Sequence, residues 1–371
     1  MRLPQQVAVT VWAWAVSCEA AQMTFPTVCS AFNARGDAAT VTISGGKFML
    51  RVMPGGGGEP ISFPTPNGDN IGGALSCRLF FDKASRYVAV GVRQEQQPYL
   101  LRVLVADLTA NSWISRFTLE PKASGSSYLD LAGFLDGNPV LAVAAPTYGR
   151  DSAWTFPFTL FTIAGEQKET LAMQTAPDYA ELRWNPNRID ALHNRILFFS
   201  TRKSCALLFL PISQGKSEEV EIDGNEARAA CDAMSAIAFP DERTVITSAT
   251  RGNTDPVTVV DLPSRTAHQL VLPQAESGKF TSVDEGSLSP DGRYFAVART
   301  IRSVTFFGNE REYGTEVDVV QVSPLKLIGK VLLNSTAAKK SISIDQRNGA
   351  ITVLSFNFKS GRWNSERLKV Q

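Results

Sequence analysis

Along most of the chain, short apolar runs alternate with polar turns too closely for helices to fit between them. Residues 88–90, 140–143, 245–247 and 295–297 are β-branched, aliphatic or aromatic runs, and each follows a polar turn. Such runs bounded by turn residues predict strands. Further strands are expected at 100–105, 207–210 and 257–260, each followed by a polar or Pro/Gly-containing turn and then a weaker outer strand, as at 113–119 or 220–222. No window of about 12 residues carries a capped helical stripe, so the chain reads as all-β.

These runs belong to a longer unit. An apolar residue, a polar turn and a strand-like run recur from starts near Phe32, Phe80, Phe134, Trp184, Phe239, Leu288 and Ile344. Successive starts are about 48, 54, 50, 55, 49 and 56 residues apart, the period of propeller blades. A sheet of that size leaves a face unburied and must stack on its own copies. Seven copies predict a seven-bladed β-propeller of four-stranded antiparallel blades, with six or eight blades as alternatives.

The clearest copy is Ser289-Pro290-Asp291-Gly292-Arg293-Tyr294-Phe295-Ala296-Val297. It is similar to the repeat of bacterial WD40-like, or TolB-like, β-propellers. The resemblance is weaker at 82–90 and 240–246, and the fourth copy departs most, with residues 185–194 inserted between Trp184 and its strand. It implies that the Asp-Gly turn joins neighbouring strands of one blade. It implies no activity, because this fold carries many. The last copy leaves about three strands, which the N-terminal segment 23–28 could complete, removing an open edge. Residues 55–58 and the Pro-rich 60–70 read as surface loop.

The N-terminus tempers the picture of a simple ring. Arg2 and the apolar stretch 7–16, broken only by Thr10, suggest an export signal over residues 1–20, with one propeller domain over 23–371. The rival reading is an outer strand, since Val7, Val9 and Val11 alternate with Ala8, Thr10 and Trp12. Export would make the protein secreted or periplasmic, and Cys18 ends a sequence resembling a lipoprotein box without its usual Leu. No later segment has an apolar run long enough to span a membrane. Without Cys18, four cysteines remain, an even number that suits an oxidising compartment. Cys29 and Cys77 share one phase in adjacent repeats, and Cys205 and Cys231 could form a second pair. Four buried free thiols remain the alternative.

Charge and chemistry narrow the function only a little. With 37 basic and 36 acidic residues the formal charge is +1, which argues against a nucleic-acid partner. The two histidines, His193 and His268, exclude a three-His metal site and read as loop or turn residues. No G-x-S-x-G elbow, phosphate loop, calcium ladder or sialidase-type Asp box is present. No cofactor is expected. Asp255, Glu285, Glu310, Glu312 and Glu316 could in principle supply paired carboxylates to a glycan hydrolase or lyase.

One constellation stands out. An Arg opens the loop after the second strand of several repeats: Arg93, Arg150, Arg202, Arg251 and either Arg299 or Arg302. Aromatics accompany them, namely Tyr99, Tyr148, Trp154, Phe306 and Tyr313. A shared phase would place them on one end of the ring, where an Arg collar could grip carboxylates or anchor an interface. The competing reading is surface pairing with Glu95, Asp151, Asp255, Glu310 and Glu312. The expectation is a binding or scaffolding module for a protein or envelope component. The alternative is a propeller enzyme, either a glycan hydrolase or lyase or a cofactor-dependent dehydrogenase.

Overall fold

The computed structural model describes residues 26–66, 71, 74–94, 100–120, 129–135, 140–144, 147–148, 154–174, 188–199, 205–212, 216–224, 226, 231, 236–250, 254–276, 278–304, 310–333, 342–347, 349–357 and 360–369. Their strands form seven separate antiparallel sheets. Sheet one holds β1 (Thr27–Phe32), β2 (Ala38–Ser44), β3 (Lys47–Met53) and β4 (Ile61–Pro64). Sheet two holds β5 (Ala74–Phe81), β6 (Tyr87–Gln94), β7 (Leu101–Asp107) and β8 (Ser112–Leu119). Sheet three holds β9 (Asp130–Phe134), β10 (Val140–Ala144), β11 (Thr147–Tyr148), β12 (Trp154–Thr162) and β13 (Gln167–Gln174). Sheet four holds β14 (Ile189–Asp190), β15 (Arg195–Phe199), β16 (Ala206–Pro211) and β17 (Glu218–Glu221). Sheet five holds β18 (Ala236–Asp241), β19 (Thr244–Ser248), β20 (Pro256–Asp261) and β21 (Thr266–Val271). Sheet six holds β22 (Phe280–Leu288), β23 (Tyr294–Val304), β24 (Glu310–Gln321) and β25 (Lys326–Leu333). Sheet seven holds β26 (Ile342–Arg347), β27 (Ala350–Asn357) and β28 (Arg362–Lys369).

The first strand of a sheet meets the first strand of the next: β1 packs on β5, β5 on β9, β18 on β22, β22 on β26, and β26 returns to β1. This is a β-propeller, with first strands innermost. Middle strands are buried on both faces because each sheet is covered by two neighbours, so β6 has no exposed residue. The last strand of a sheet has water on one side, and β8 alternates accordingly. Apolar clusters fill the junctions. Val41, Leu50, Val90 and Leu104 join sheets one and two, and Val257, Val283, Phe295 and Val297 join five and six.

Several expectations change. The described part of segment 23–28 does not complete the seventh sheet: Thr27 and Val28 begin β1 and pair with Ile43 and Thr42 of β2. Sheet seven remains three-stranded among the described residues, and its junction with sheet one is bridged by side chains. Trp363 Nε1 donates to Thr42 Oγ1, Ser30 meets Ser343, and Arg347 donates to the Ala34 carbonyl. Sheet three has a fifth short strand. The supposed insertion in the fourth copy contains β14 itself, and Trp184 lies outside the described residues. The 60–70 loop contains β4, and His268 sits on β21 opposite Val259 instead of in a turn.

Two disulfides tie the scaffold. Cys29–Cys77 joins the inner strands of sheets one and two with Cα atoms 5.8 Å apart, and Cys205–Cys231 spans 5.6 Å. Among the described residues no helix is long and apolar enough to cross a membrane.

Candidate functional site

Each second strand runs from the turn after the innermost strand toward the opposite end of the ring. Arg93 is the penultimate residue of β6 and Arg302 lies near the end of β23, so both point the same way along the repeat. Arg150, Arg202, Arg251, Tyr99 and Phe306 lie outside the described residues. Tyr148 and Trp154 are described by their backbone, where they pair with each other across β11 and β12.

Arg93 and Arg302 are not bare cations. Arg93, together with Arg78 on β5, acts on Asp130 at the start of β9, and Arg78 Nε lies 3.7 Å from that carboxylate. Burial raises the Asp130 carboxyl above its ordinary range, and the two arginines oppose that rise. Arg302 pairs with Glu312 at 3.3 Å across the β23–β24 hairpin. Tyr313 is exposed on the same hairpin (45%) with its hydroxyl 3.1 Å from Ser303 Oγ. Lys279 and exposed Arg311 both lie over its ring, at 4.9 and 5.3 Å from the centroid. Val304 at the end of β23 is also exposed, as is Leu332 on the outer strand β25.

Arg299, one of two alternatives for the sixth collar position, is fully buried. Alternation along β23 puts it on the face of Phe295 and Val297, which turns to sheet five. Its Nε donates to Asp318 Oδ2 at 2.7 Å, and Nη2 donates to Glu316 Oε2 at 2.9 Å. Nη1 reaches Asp255 Oδ2 at 3.0 Å and the Pro273 carbonyl at 2.9 Å, both in the sheet five segment. Thr281 also donates to Asp255, and Lys330 holds the other Glu316 oxygen at 2.6 Å. Asp255 and Glu316, candidates for paired catalytic carboxylates, are thus buried and bound to one guanidinium. The Asp318 carboxyl is pushed up to about 6 by burial; Arg299 and Lys330 oppose the rise and Glu316 adds to it.

The turn end of the ring carries a feature that the repeat phase did not single out. Arg35, Arg86, Arg195, Arg293 and Arg347 flank the turns after β1, β5, β14, β22 and β26, and each faces an Asp. The separations are 3.2 Å to Asp37, 2.8 Å to Asp107, 2.9 Å to Asp190, 3.8 Å to Asp291 and 3.0 Å to Asp345. His193 joins the Asp190 pair at 2.8 Å. A cleft of about 630 Å³ opens there, lined by Arg35, Gly55, Asp291, Asp345 and Arg347 among others. Burial raises the Asp345 carboxyl, and Asp291 adds to this against Arg347. Burial also raises Asp37, but bonds from Asn33, the Gly55 N–H and Arg35 outweigh it and hold the carboxyl below its usual range. The signal was present as a repeated Asp and Arg around each turn. Asp107, Asp190 and Asp345 are buried beneath their arginines, so these pairs form a charge-balanced rim, and the more exposed Arg35–Asp37 and Arg293–Asp291 pairs each contribute little. Among the described residues no group of three or more His, Cys, Asp or Glu is placed to hold a metal ion.

No family model matches the chain, and no curated protein matches it. Solved structures do. A prolyl endopeptidase matches with a TM-score of 0.50 at 13% identity, over 94% of this chain and 50% of that one. The propeller domain of the Trilobed protease from Pyrococcus furiosus gives 0.48 at 12% identity over 94% and 98%. The WD40 domain of SCAP from fission yeast gives 0.40 at 10% identity over 94% and 87%. At 13% identity the prolyl endopeptidase likeness speaks for fold alone, and with the ring described above the chain is a β-propeller repeat protein.

Proposed function

We propose that the chain is an exported seven-bladed propeller that binds a protein or an envelope component at the end opposite its Asp-Gly turns. The observation that carries this reading is the β23–β24 hairpin, where Tyr313 and Val304 are exposed beside Arg311 and Lys279. Aromatic and Arg side chains dominate binding energy at interfaces, and exposed apolar groups rimmed by charge mark such surfaces. Arg93, Arg302 and the collar positions Arg150, Arg202 and Arg251 would extend the same surface. Two disulfides suit residues 1–20 acting as an export signal.

The test is affinity capture from host envelope extract, with quantitative mass spectrometry of what binds the wild type. A Tyr313→Ala/Arg311→Glu variant and an Arg93→Ala/Arg251→Ala variant are then compared for the same captured species. Each should lose about tenfold or more in affinity. Unchanged binding by both would overturn the assignment of this end.

A further inference from the structure

The Arg299 cluster contains three carboxylates, Asp255, Glu316 and Asp318, against two cations, Arg299 and Lys330. One proton would balance it. Asp318 is fully buried, its Oδ2 takes both contacts from Arg299, and its Oδ1 is buried with no hydrogen-bond partner. We propose that this cluster is a proton-sensitive clasp: on acidification Asp318 takes up a proton from solvent on Oδ1, and sheets five and six hold together more tightly.

The surroundings of Asp318 favour this atom. Arg299 faces it from β23, Glu316 from its own strand, and Lys330 stands directly opposite on β25. Asp255 approaches through Arg299 from the segment before β20, and the stretch after β21 contributes only the Pro273 carbonyl. On β22, Thr281 reaches Asp255, while Asp284 bonds Thr300 and Glu285 lies opposite Ala298, a residue of the face turned to sheet seven. Protonation on Oδ1 leaves Oδ2 free to accept from Arg299, so the geometry survives and the excess negative charge disappears. Burial, which raises the Asp318 carboxyl from 3.8 to about 6, gives the sign: the folded state binds this proton more tightly than the unfolded chain. Stability gained through Asp318 is therefore present below about pH 4 and lost as pH rises through 6.

Thermal unfolding of wild type and Asp318→Asn from pH 8 to pH 5 tests the clasp. The wild type should gain relative to the variant as pH falls, by about tenfold in the folding equilibrium at pH 5. That figure follows from a carboxyl raised from 3.8 to about 6, since the proton's preference for the folded state grows about tenfold for each pH unit below 6 and pH 5 lies one unit below it. Parallel curves would overturn the proposal. Should Asp318→Asn fail to fold, hydrogen exchange of the wild type alone decides. After correction for intrinsic rates, protection in β23 to β25 should rise about tenfold between pH 7.5 and pH 5, and sheet one, whose Asp37 carboxyl is held below its usual range, should not follow. A uniform change across the sheets, or none, would refute it.

Discussion

Replacing Arg299 with Met removes the charge and keeps most of the side-chain volume, so it isolates the electrostatic work of this residue. Three carboxylates would then face one another in the junction of sheets five and six, with Lys330, half exposed, as the remaining cation. Removing one partner from a buried ion pair typically costs about 3–5 kcal/mol. A propeller of ~350 residues unfolds with an entropy of about 0.7 kcal/mol/K, so about 4 kcal/mol lowers Tm by about 6 °C. The loss must depend on pH. At pH 8 the orphaned carboxylates either stay charged or take up protons against the gradient, at about 1.4 kcal/mol per pH unit. At pH 5 protonation is cheap, and much of the deficit should vanish. Calorimetry of Arg299→Met at pH 8 and pH 5 measures both quantities. A deficit below about 1 °C at pH 8, or an equal deficit at both pH values, would show that the cluster does not carry the energy assigned to it.

Two further substitutions probe the scaffold. In the chain-entropy account, the Cys29–Cys77 bridge, closing a separation of 48, stabilises by about 4 kcal/mol and Cys205–Cys231, closing 26, by about 3.5 kcal/mol. Paired Cys→Ser variants should lose about these amounts in urea titrations, and a loss under 1 kcal/mol would point to reduced thiols. Gly286 sits where a Cβ would come within 2.5 Å of Phe295 Cζ and 2.7 Å of Ala236 Cβ. Gly286→Ala should therefore cost about 1–3 kcal/mol through overpacking between sheets five and six. Phe295→Leu in the same chain should recover part of it, and a neutral Gly286→Ala would refute the close approach.

The fold was legible because its defining contacts are local. The turn after β22 needs Gly292 at φ 71, Ser289 Oγ bonds Asp291, and the Ser289 N–H reaches the Tyr294 carbonyl. All of these contacts lie within six residues, so the repeat advertises itself wherever the turn is preserved. Sheet four was misplaced because its innermost strand shrinks to Ile189–Asp190 and its turn uses Asn194 at positive φ in place of the Asp-Gly pair. The seventh sheet's closure was misassigned for a different reason. Sequence shows that a strand is missing but not which edge a neighbouring segment pairs with, and β1 proved to be committed to β2.

The collar was harder to read, because phase along a repeat fixes which end a residue approaches but not whether water reaches it. Arg299 and Arg302 are three residues apart on one strand; one is fully buried and the other meets Glu312 near the surface. Alternation could have separated them, since Phe295, Val297 and Arg299 share a face. The partners Asp255, Glu316 and Asp318 come from 17 to 44 residues away, however, and only the stacked sheets bring them together. The place where they converge has a mechanical logic. Pairing of β22 with β23 stops at Phe280 opposite Arg302, and pairing of β25 with β24 stops at Leu333 opposite Thr315, while β23 and β24 continue together to Val304 and Glu310. Among the described residues, the hairpin that carries Tyr313 thus projects beyond both flanking strands. An apolar junction can slide, whereas a guanidinium held by three carboxylates has one geometry. Arg299, at the root of that projection, fixes the orientation in which the hairpin stands out from the sheet.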